Sequence, residues 1–597
     1  MKSVYEIARI VMPTASFSSY TNLFLNTNTQ QIEIEGKLQS VTELRFDTWM
    51  NLFAAKKYNH YCDLGNIYLK LNIKGKYKIL VTGCNRSAAF DIIKSTLVEK
   101  DCSDSETILI PNATTYEGIY FSVFSAQNNQ LEIQEIAWCT DKQPVRDNKL
   151  AIVTCTFKRE DYILKNIEIF NEFIQQNSEL KDKIQLVIVD NGKTLSSDLN
   201  TSNITIYPNM NAGGAGGFAR GLMEVMKNQP DISRILFMDD DVEIFPESFY
   251  RTLLLSNYLK DEYKGAFING AMMDLYRKDV FFENLSVQHR LWLTGYYNNI
   301  DVTNIDNVMK TNDISFDTFG NRNRYVSSAW WYCSFPTDFA KEKGLPMPIF
   351  FRGDDAEWSW RACGTHIISM NGICVWHSPF IWRVSKAADS YYLPRNMFLL
   401  NVLYTSKFKK YYKSLFKEIF QHALSTYDYV SLELLMRAMK DILKGSDVFR
   451  ENPEKQFQEI NKINKKIEYI DCPQHEVEYA KHCPVPKIKK WKKLLYKLTQ
   501  GGIFCPKKFF KKSRIALEWC PPKEIFMFTK KVHVYNLLTQ KCEVRKFNAK
   551  KLKAYRNEFK TLLTQIDANY DKLKTDYQDA HKEFSTFAFW EKYLELK

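Results

Sequence analysis

The chain has 597 residues, too many for one hydrophobic core, so about two to four domains are expected. Its 45% hydrophobic and 14% aromatic content excludes an intrinsically disordered protein, and despite a net charge of +13 the composition is that of a folded one. No apolar run reaches the roughly 18 residues of a membrane-spanning helix.

The N-terminal segment is too short and too charged for a signal peptide. The 13 cysteines are odd in number and never spaced as Cys-x-x-Cys. This pattern favours reduced thiols in a cytoplasmic protein over a disulfide framework or a cysteine zinc site.

Residues 1–146 contain short segments in which apolar and polar residues alternate, separated by Gly, Asn and Asp. Examples are Ile67–Ile73, Tyr77–Val81 and Gly118–Phe124. Such alternation is typical of strands with one buried face, and it predicts an antiparallel β-sandwich or jelly roll. The domain could bind carbohydrate or could serve in packing or oligomerisation; the lack of a catalytic constellation in these residues favours the second role. Asp141–Lys149 is interpreted as a linker.

Residues 147–395 change to an alternation of strands and helices. Four apolar runs predict strands, namely Leu150–Phe157, Ile184–Asp190, Asn203–Tyr207 and Ile235–Met238. Strands that alternate with helices predict a mostly parallel sheet covered on both faces, in which ligands bind at the carboxyl ends of the strands. The polar residues at those ends are Thr154, Arg159, Asp190, Asn191, Asp239, Asp240 and Asp241.

The three consecutive aspartates at 239–241 are the strongest single signal, because three like charges repel unless a cation or hydrogen-bond donors offset them. Side chains alternate along an extended chain, so Asp239 and Asp241 point the same way, an arrangement that suits Mg2+ or Mn2+. Such a cation would hold a diphosphate. His377 ends a later apolar run and is either structural or a further ligand. The alternative for the triplet is a solvated turn in which one aspartate caps a helix.

A glycine-rich stretch, Asn211–Gly221, lies between the third and fourth predicted strands. Its glycines, Gly213 and Gly214 among them, allow the backbone to approach a ligand closely. The helix predicted over Phe218–Lys227 would turn its N-terminal amides toward an anion or sugar hydroxyls. No Gly-Lys-Ser/Thr follows, so the stretch is not a P-loop, and its place after the third strand argues against a dinucleotide fingerprint. A flexible loop is the alternative.

Two further motifs carry candidate site residues. Trp330 and Trp331 are adjacent and belong either to the core or to an aromatic platform for a sugar ring. Asp354, Asp355 and Glu357 lie at the start of a predicted helix. They form either an ordinary acidic first turn or the site of a general base that removes a proton from an attacking hydroxyl.

The motifs found so far occur in a fixed order across about residues 146–400. They are Thr156–Arg159, Val189–Gly192, Asn211–Gly221, Asp239–Asp241, Trp330–Trp331, Gly353–Glu357 and Trp376–His377. In order and spacing they resemble the motifs of family 2 glycosyltransferases, and most of all those of the galactofuranosyltransferases that polymerise galactan. The resemblance implies a GT-A fold, an N-terminal β-sandwich and a C-terminal helical region.

The resemblance also implies a role for each motif. Asp239, Asp241 and His377 would hold Mn2+ or Mg2+ on the nucleotide diphosphate, and Asp355 would be the base of an inverting displacement. The nucleotide-sugar-binding residues would be Thr154, Arg159, Asp190, Asn191, Asn211, Gly213, Gly214 and Asp240. The acceptor-binding residues would be Trp330, Trp331, Asp354 and Glu357. In physical terms, the metal stabilises charge on the leaving diphosphate while the carboxylate activates the acceptor oxygen.

Residues 396–597 show apolar residues at helical spacing over 414–443 and 549–596. Between Lys481 and Arg514 there are 12 Lys or Arg and no acidic residue. In Lys489–Leu498 the basic residues are interleaved with Trp, Tyr and Leu, which favours attachment to an anionic membrane surface. Nucleic acid is disfavoured, because no binding motif accompanies the charge, and a solvated basic face is the alternative.

The sequence therefore predicts a β-sandwich over residues 1–146, a GT-A catalytic domain over 147–395 and a mainly helical, basic region over 396–597. The expected protein is cytoplasmic and bound peripherally to the inner face of the cell membrane. Its expected activity is metal-dependent, inverting transfer of galactofuranose from UDP-galactofuranose to a lipid-linked or polysaccharide glycan of the cell envelope. The alternatives are another donor such as dTDP-rhamnose, or an inactive carbohydrate-binding or scaffold protein. Homo-oligomer formation is left open.

Overall fold

The computed structural model describes residues 3–34, 37–86, 91–100, 106–126, 131–289, 292–295, 298–314, 317, 325–362, 365–380, 385–405, 408–472, 488–499, 501–506, 509–510, 512–517, 521–536 and 539–596. The strands among these residues form sheets of eight, nine, three and four strands. The chain is a multidomain α/β protein, as predicted. Within the described ranges, no helix combines the length and apolar character needed to cross a bilayer.

The first region is an antiparallel sheet with the order β1-β8-β4-β7-β3-β2, to which β5 and β6 add by pairing with β4. These elements are β1 (Tyr5–Arg9), β2 (Asn26–Ile34), β3 (Lys37–Arg45), helix α1 (Ala55–Tyr61), β4 (Ile67–Cys84), β5 (Asp91–Lys100), β6 (Glu106–Ile110), β7 (Gly118–Ala126) and β8 (Glu132–Thr140). The long strand β4 joins the two halves of the sheet, because its first part pairs with β6 and β8 and its second part with β5 and β7. Its side chains alternate between buried and more exposed positions, which is the pattern that predicted strands here.

The second region is built on a sheet of nine strands with helices packed against it. Its strands are β9 (Leu150–Thr156), β10 (Ile184–Asp190), β11 (Ile204–Pro208), β12 (Arg234–Phe237), β13 (Phe267–Asp274), β14 (Val280–Glu283), β17 (Ile300–Asp301), β19 (Cys333–Pro336) and β20 (Ile367–His377). A small separate sheet contains β15 (Ser286–His289), β16 (Trp292–Gly295) and β18 (Val326–Ser327). The helices are α2 (Glu160–Gln176), α3 (Gly213–Asn228), α4 (Glu247–Tyr258), α5 (Ile305–Thr311), α6 (Thr337–Lys343) and α7 (Asp354–Arg361).

The sequence predicted a mostly parallel sheet, but the nine-stranded sheet is mixed. The strands β11, β10, β9 and β12 are parallel to one another, as is the pair β13 and β20. The strand β19 lies antiparallel between β12 and β13, and β14 and β17 extend the sheet antiparallel. The sequence prediction missed this because β19 follows the double tryptophan with only four residues, too short a run to be assigned a direction.

The third region contains eight described helices and a sheet. The helices are α8 (Leu393–Tyr404), α9 (Phe408–Ser425), α10 (Tyr429–Leu443), α11 (Pro453–Asn464), α12 (Lys490–Leu498), α13 (Lys523–Phe526), α14 (Ala549–Phe584) and α15 (Phe587–Tyr593). The sheet has the order β21-β24-β23-β22 and consists of β21 (Tyr469–Asp471), β22 (Lys512–Leu517), β23 (Thr529–Tyr535) and β24 (Lys541–Lys546). The mainly helical prediction overlooked this sheet, because lysine and arginine occupy many of its positions and mask the alternation of apolar residues.

A disulfide bond joins Cys472, directly after β21, to Cys542 of β24. The Cα atoms of the two residues are 5.4 Å apart. The expectation that all thiols are reduced is therefore wrong for this pair. Sequence spacing gave no signal for it, since 70 residues separate the two cysteines.

The last described helix returns to the central region. Trp590 of α15 is fully buried, and its indole N–H donates to the carbonyl of Pro346 at 3.0 Å. Trp590 and Leu594 pack in the same hydrophobic cluster as Phe218 and Leu222 of α3. The packing of α3 therefore depends on residues that lie more than 350 positions later in the sequence.

Candidate active site

A cavity of about 800 Å³ opens at the carboxyl ends of β9, β10 and β12. It brings together residues from all seven motifs that the sequence singled out. The predicted site residues that line it are Arg159, Asn191, Asn211, Gly213, Gly214, Asp239, Asp240, Asp241, Trp330, Trp331, Asp354, Asp355 and His377. Three other predicted residues, Thr154, Asp190 and Glu357, lie behind its wall.

Asp239, Asp241 and His377 form a cluster beside the end of β12. Their ligand atoms all lie within 4.8 Å of one another. A bridge between Glu243 and Trp376 brings the end of β20 next to the turn after β12, which explains why residues so far apart in sequence meet. Nε2 of His377 is 3.4 Å from a carboxylate oxygen of Asp241. Two carboxylates and an imidazole are suitable donors for a divalent cation, so these side chains fit one.

Arg159 and Asp240 add opposite charges beside this cluster. The guanidinium of Arg159 forms an ion pair with Asp241 and lies 3.9 Å from Asp240. Burial raises the pKa of Asp240 to about 6, while Arg159 favours its ionised form. A guanidinium held by carboxylates at a cavity wall can turn to an arriving phosphate, which offers the same bidentate geometry.

The loop after β10 is ordered by Asp190 and Asn191. The carboxylate of Asp190 accepts hydrogen bonds from the backbone N–H groups of Gly192, Thr194 and Leu195 at 2.9, 2.6 and 2.7 Å. Asp190 therefore shapes the loop from behind. Asn191 lines the cavity, and its amide donates to the carbonyl of Gly213 at 3.0 Å. Thr154 is buried within β9, one strand away.

The glycine-rich stretch is helical and not a flexible loop. Helix α3 begins at Gly213, earlier than the start predicted at Phe218. Gly213 has φ +70, and a Cβ atom there would collide with the carbonyl of Phe350. Glycine is thus required at this position by both the backbone conformation and the close approach of the opposite wall. The N-terminus of a helix of 16 residues consequently faces the cavity.

Asp354 and Asp355 line the cavity at the N-terminus of α7, where the carboxylate of Asp354 lies beside Gly214 of α3. The turn before them has positive φ at Phe350, Arg352 and Gly353, with values of 73, 70 and 89. Burial raises the pKa of Asp355 to about 6, and burial together with the charge of Asp355 raises the pKa of Asp354 well above its ordinary range. The N–H of Ala356 donates to Asp355 at 2.7 Å and orients its carboxylate. A carboxylate whose pKa lies near neutrality can serve as a general base.

Trp330 and Trp331 belong mainly to the core. They are 4% and 3% exposed, so only an edge of each ring reaches the cavity. Trp330 packs against Phe218 and Phe237 with ring centroids 4.8 and 5.0 Å away, and the indole of Trp331 donates to the carbonyl of Gly270 at 2.9 Å. Of the two expectations for these tryptophans, the packing favours the core. One edge of each ring forms part of the cavity wall.

Glu357 lies behind the cavity lining with its side chain fully buried, in contrast to the prediction that it contacts the acceptor. Its carboxylate is fully buried and forms a two-bond ion pair with Arg361, with both distances 2.7 Å. The hydroxyl of Tyr404 donates to it at 2.6 Å, and Nε2 of His581 lies 2.9 Å away. Burial alone would raise the pKa of Glu357, but Arg361 and His581 lower it to about 2.

Sequence reasoning missed two charged residues of the cavity wall, Glu283 and Arg352. Glu283 ends β14, and burial raises its pKa, as does the nearby charge of Asp355. The run Val280–Glu283, an apolar strand that ends in a carboxylate, repeats the signal used at Asp239 and could have identified it. Arg352 forms an ion pair with Asp389 at 3.2 Å, a contact with no counterpart in local sequence pattern.

Two curated relatives carry the same name. The chain is 23% identical over 435 residues to galactofuranosyltransferase GlfT2 of Mycolicibacterium smegmatis, covering 68% of the chain and 65% of the relative. It is 21% identical over 456 residues to GlfT2 of Mycobacterium tuberculosis, covering 71% of the chain and 69% of the relative. The match thus spans slightly less than two thirds of the first relative. No family model matches the chain.

Solved structures give weaker likenesses. Residues 1–349 of Staphylococcus aureus TarS share 13% identity over 60% of this chain and 82% of that one, with a TM-score of 0.28. A Drosophila β1,4-galactosyltransferase 7 complex with manganese, UDP-Gal and xylobiose shares 9% identity over 37% and 65% of the two chains, with a TM-score of 0.21. Such TM-scores establish no common fold. The two named relatives, in contrast, confirm the resemblance that the motifs indicated, and the chain is similar in sequence to galactofuranosyltransferases.

Proposed function

We propose that this protein is a metal-dependent, inverting galactofuranosyltransferase that uses UDP-galactofuranose. The observation that carries the proposal is one cavity that holds both the cluster Asp239, Asp241 and His377 and the buried carboxylate of Asp355. The names of the two relatives support the choice of sugar. In this proposal residues 147–395 form a GT-A catalytic domain, flanked by a β-sandwich domain over 1–146 and a C-terminal region over 396–597.

The donor would bind on the side of the cavity formed by β9, β10, β12 and α3. When bound, Mn2+ or Mg2+ would stabilise the charge that develops on the leaving diphosphate. Asp239, Asp241 and His377 would hold that cation. Arg159 would exchange its pairing with Asp241 for the donor nucleotide, and the N-terminus of α3 would face its negative charge.

The remaining residues on the donor side lie in the loop after β10, at the start of α3 and beside Arg159. Asn191 would contact the nucleoside, while Asp190 would keep the loop after β10 in the conformation that presents Asn191. Asn211, Gly213 and Gly214 would form the start of α3 that the donor faces, where the two glycines leave room for Phe350 and Asp354. Asp240 would limit the freedom of Arg159 through the ion pair between them.

The acceptor would bind on the side formed by α7 and the tryptophan wall. Asp355 would accept the proton of the attacking hydroxyl, because its carboxylate faces the cavity and the N–H of Ala356 fixes its orientation. Asp354 would bind a neighbouring hydroxyl of the sugar. The exposed edges of Trp330 and Trp331 would exclude water from one side of the acceptor.

The acceptor is proposed to be a growing glycan of the cell envelope, either lipid-linked or part of a polysaccharide. A lipid-linked acceptor explains why the enzyme would attach peripherally to the inner face of the membrane. The basic residues between Lys481 and Arg514 would provide the attachment through anionic lipids.

The test is a transfer assay with purified protein, Mn2+, a panel of nucleotide sugars and a synthetic galactofuranosyl acceptor, followed by mass spectrometry. We expect a gain of one hexose from UDP-galactofuranose, abolished by EDTA and by Asp241→Asn. Transfer from another donor such as dTDP-rhamnose would overturn the choice of sugar. Nucleotide binding without transfer from any donor would favour an inactive carbohydrate-binding protein.

A further inference from the structure

Helix α12 presents large apolar side chains to solvent, far from the active-site motifs. Trp491, Leu494 and Leu498 are 55%, 57% and 70% exposed. Their spacing places them on one face of the helix, at about 100° of rotation per residue. Phe504 in the following turn is also exposed. A contiguous group of exposed large apolar residues is uncommon on a soluble surface and marks a contact with another molecule or with a membrane.

A cavity of about 440 Å³ lies on another face of the same helix. Its walls come from α9, α12, α13 and α14. Four described residues of its lining are basic, namely Lys493, Lys497, Lys523 and Arg556. One is acidic, Glu524, and it lies 3.5 Å from Lys493. The lining is therefore positively charged, with an excess of three charges among the described residues.

The floor of this cavity is apolar. Leu424, Tyr496 and Met527 line it, and all three are buried. The basic groups above this floor are exposed or half-buried, so an anion bound there would meet positive charge on one side and apolar atoms on the other. A cavity of this volume accommodates a phosphate ester and leaves space for a small alcohol attached to it.

The apolar face and the basic cavity meet along one edge of α12. On the helix, Lys497 lies between Leu494 of the exposed face and Lys493 of the cavity wall, as follows from about 100° per residue. A phospholipid has the matching arrangement, an anionic phosphate directly beside an apolar chain. Nucleic acid would favour rings that stack on bases, whereas two of the three exposed side chains of this face are leucines.

We propose that this cavity binds the phosphate of an anionic phospholipid headgroup, while Trp491, Leu494 and Leu498 enter the interfacial layer of the membrane. The proposal rests on the membrane attachment proposed above and deepens it, because it replaces a diffuse basic surface with a defined headgroup site. The catalytic cavity and this site are formed by different residues, so loss of one leaves the other intact.

The test compares two pairs of substitutions that remove the same charge from the same neighbourhood. The cavity pair is Lys497→Gln with Lys523→Gln. The matched control is Lys490→Gln with Lys492→Gln, which lie on or beside the same exposed helix but outside the cavity lining. Binding is measured by flotation with phosphatidylcholine vesicles, with and without phosphatidylglycerol, and by titration with monomeric short-chain phosphatidylglycerol.

We expect the full-length protein to prefer vesicles that contain phosphatidylglycerol and to bind the monomeric lipid. The cavity pair should lose about twenty-five-fold in vesicle affinity, since each lysine near an anionic surface contributes about fivefold, and it should lose binding of the monomer. The control pair should retain monomer binding. Thermal unfolding of both pairs is expected to match that of the unsubstituted protein, because all four side chains are exposed.

Equal losses of monomer binding for the two pairs would overturn the headgroup site and leave a diffuse basic surface. No vesicle binding by the unsubstituted protein would overturn the membrane attachment as well. Tighter binding of duplex DNA with the same dependence on Lys497 and Lys523 would overturn the lipid as occupant. Transfer to a soluble acceptor should be unchanged in both pairs, so a failure of the proposed enzymatic function would be recognised separately.

Discussion

The two faces of helix α7 shift the pKa of a buried carboxyl group in opposite directions. On the cavity face, burial raises the pKa of Asp355 to about 6, so its charged form is held at a cost. On the core face, Arg361 and His581 outweigh the effect of burial and lower the pKa of Glu357 to about 2. The two residues are only two positions apart. The difference teaches that a buried carboxylate becomes available for chemistry when the fold leaves its charge incompletely offset, and becomes structural when the fold supplies a cation.

The largest expected effect is on the cavity face. Asp355→Asn should lower the rate of transfer by about 10²–10⁴-fold, because it removes the proton acceptor while preserving size and shape. The stability of the protein should be unchanged or slightly higher, since the substitution removes a buried charge. The measurement is kcat at saturating donor and acceptor, together with thermal unfolding. Undiminished turnover would assign the base elsewhere, with Glu283 as the next candidate on the cavity wall.

The core face should show the reverse behaviour. Glu357→Ala is expected to destabilise the protein by about 3–5 kcal/mol, because it leaves the guanidinium of Arg361 buried without its carboxylate. Urea unfolding monitored by tryptophan fluorescence measures this loss. As a control, Glu357→Leu combined with Arg361→Met removes both charges and should recover much of the stability. A cost below about 1 kcal/mol for the single substitution would show that the ion pair does not stabilise the fold.

The two carboxyl groups should also respond oppositely to pH. The folded-state pKa of Glu357 is below its ordinary value of 4.5, so its contribution to stability is complete above about pH 4.5 and is lost as pH falls toward about 2. The folded-state pKa of Asp355 is above its ordinary value of 3.8, so its contribution is complete below that pH and is lost as pH rises to about 6.

The direction of the pKa shift of Asp355 can be tested by comparing the stability of Asp355→Asn with that of the unsubstituted protein across pH. Asp355→Asn should be more stable than the unsubstituted protein, and this difference should grow between about pH 4 and pH 6 and then level off. These limits are about the ordinary and the folded-state pKa of Asp355. The transfer rate of the unsubstituted protein should fall about tenfold for each pH unit below about 6. A transfer rate that stays constant down to pH 4, measured with the fold intact, would contradict the role given to Asp355.

The smallest effects concern the residues that support Glu357 from the third region. Tyr404→Phe removes one hydrogen bond to the buried carboxylate and should cost about 1–2 kcal/mol. The transfer rate should change little, provided that α7 keeps its position. The same unfolding experiment gives the value, and Tyr411→Phe, an exposed tyrosine of α9, serves as the control with no expected loss.

The cavity residues were predictable because their signal is local. An apolar strand that ends in Asp239–Asp241, or a glycine run that precedes a helix, identifies an edge of a sheet without knowledge of distant contacts. The role of Glu357 was not predictable in this way, because its partners Tyr404 and His581 lie 47 and 224 residues away. The same limit applies to the third region, where strands rich in lysine and arginine formed a sheet that the alternation of apolar residues did not reveal.

The tryptophans show a different limit. Adjacent aromatic residues are compatible with a core and with a sugar-binding surface, and only the surrounding rings decide between them. Here Phe218 and Phe237 pack around Trp330 and leave one edge exposed. Trp330 and Trp331 line the cavity, with only an edge of each ring exposed there.

The packing of Trp590 and Leu594 against α3 has a consequence for how the protein is made. These two residues fill space beside Gly216, where a Cβ atom would come within 3.5 Å of the indole. The ribosome synthesises residues 147–395 well before it reaches Trp590 and Leu594. Until Trp590 and Leu594 emerge, one apolar side of the central region remains uncovered, so we expect residues 147–395 to depend on chaperones during translation and to express poorly on their own.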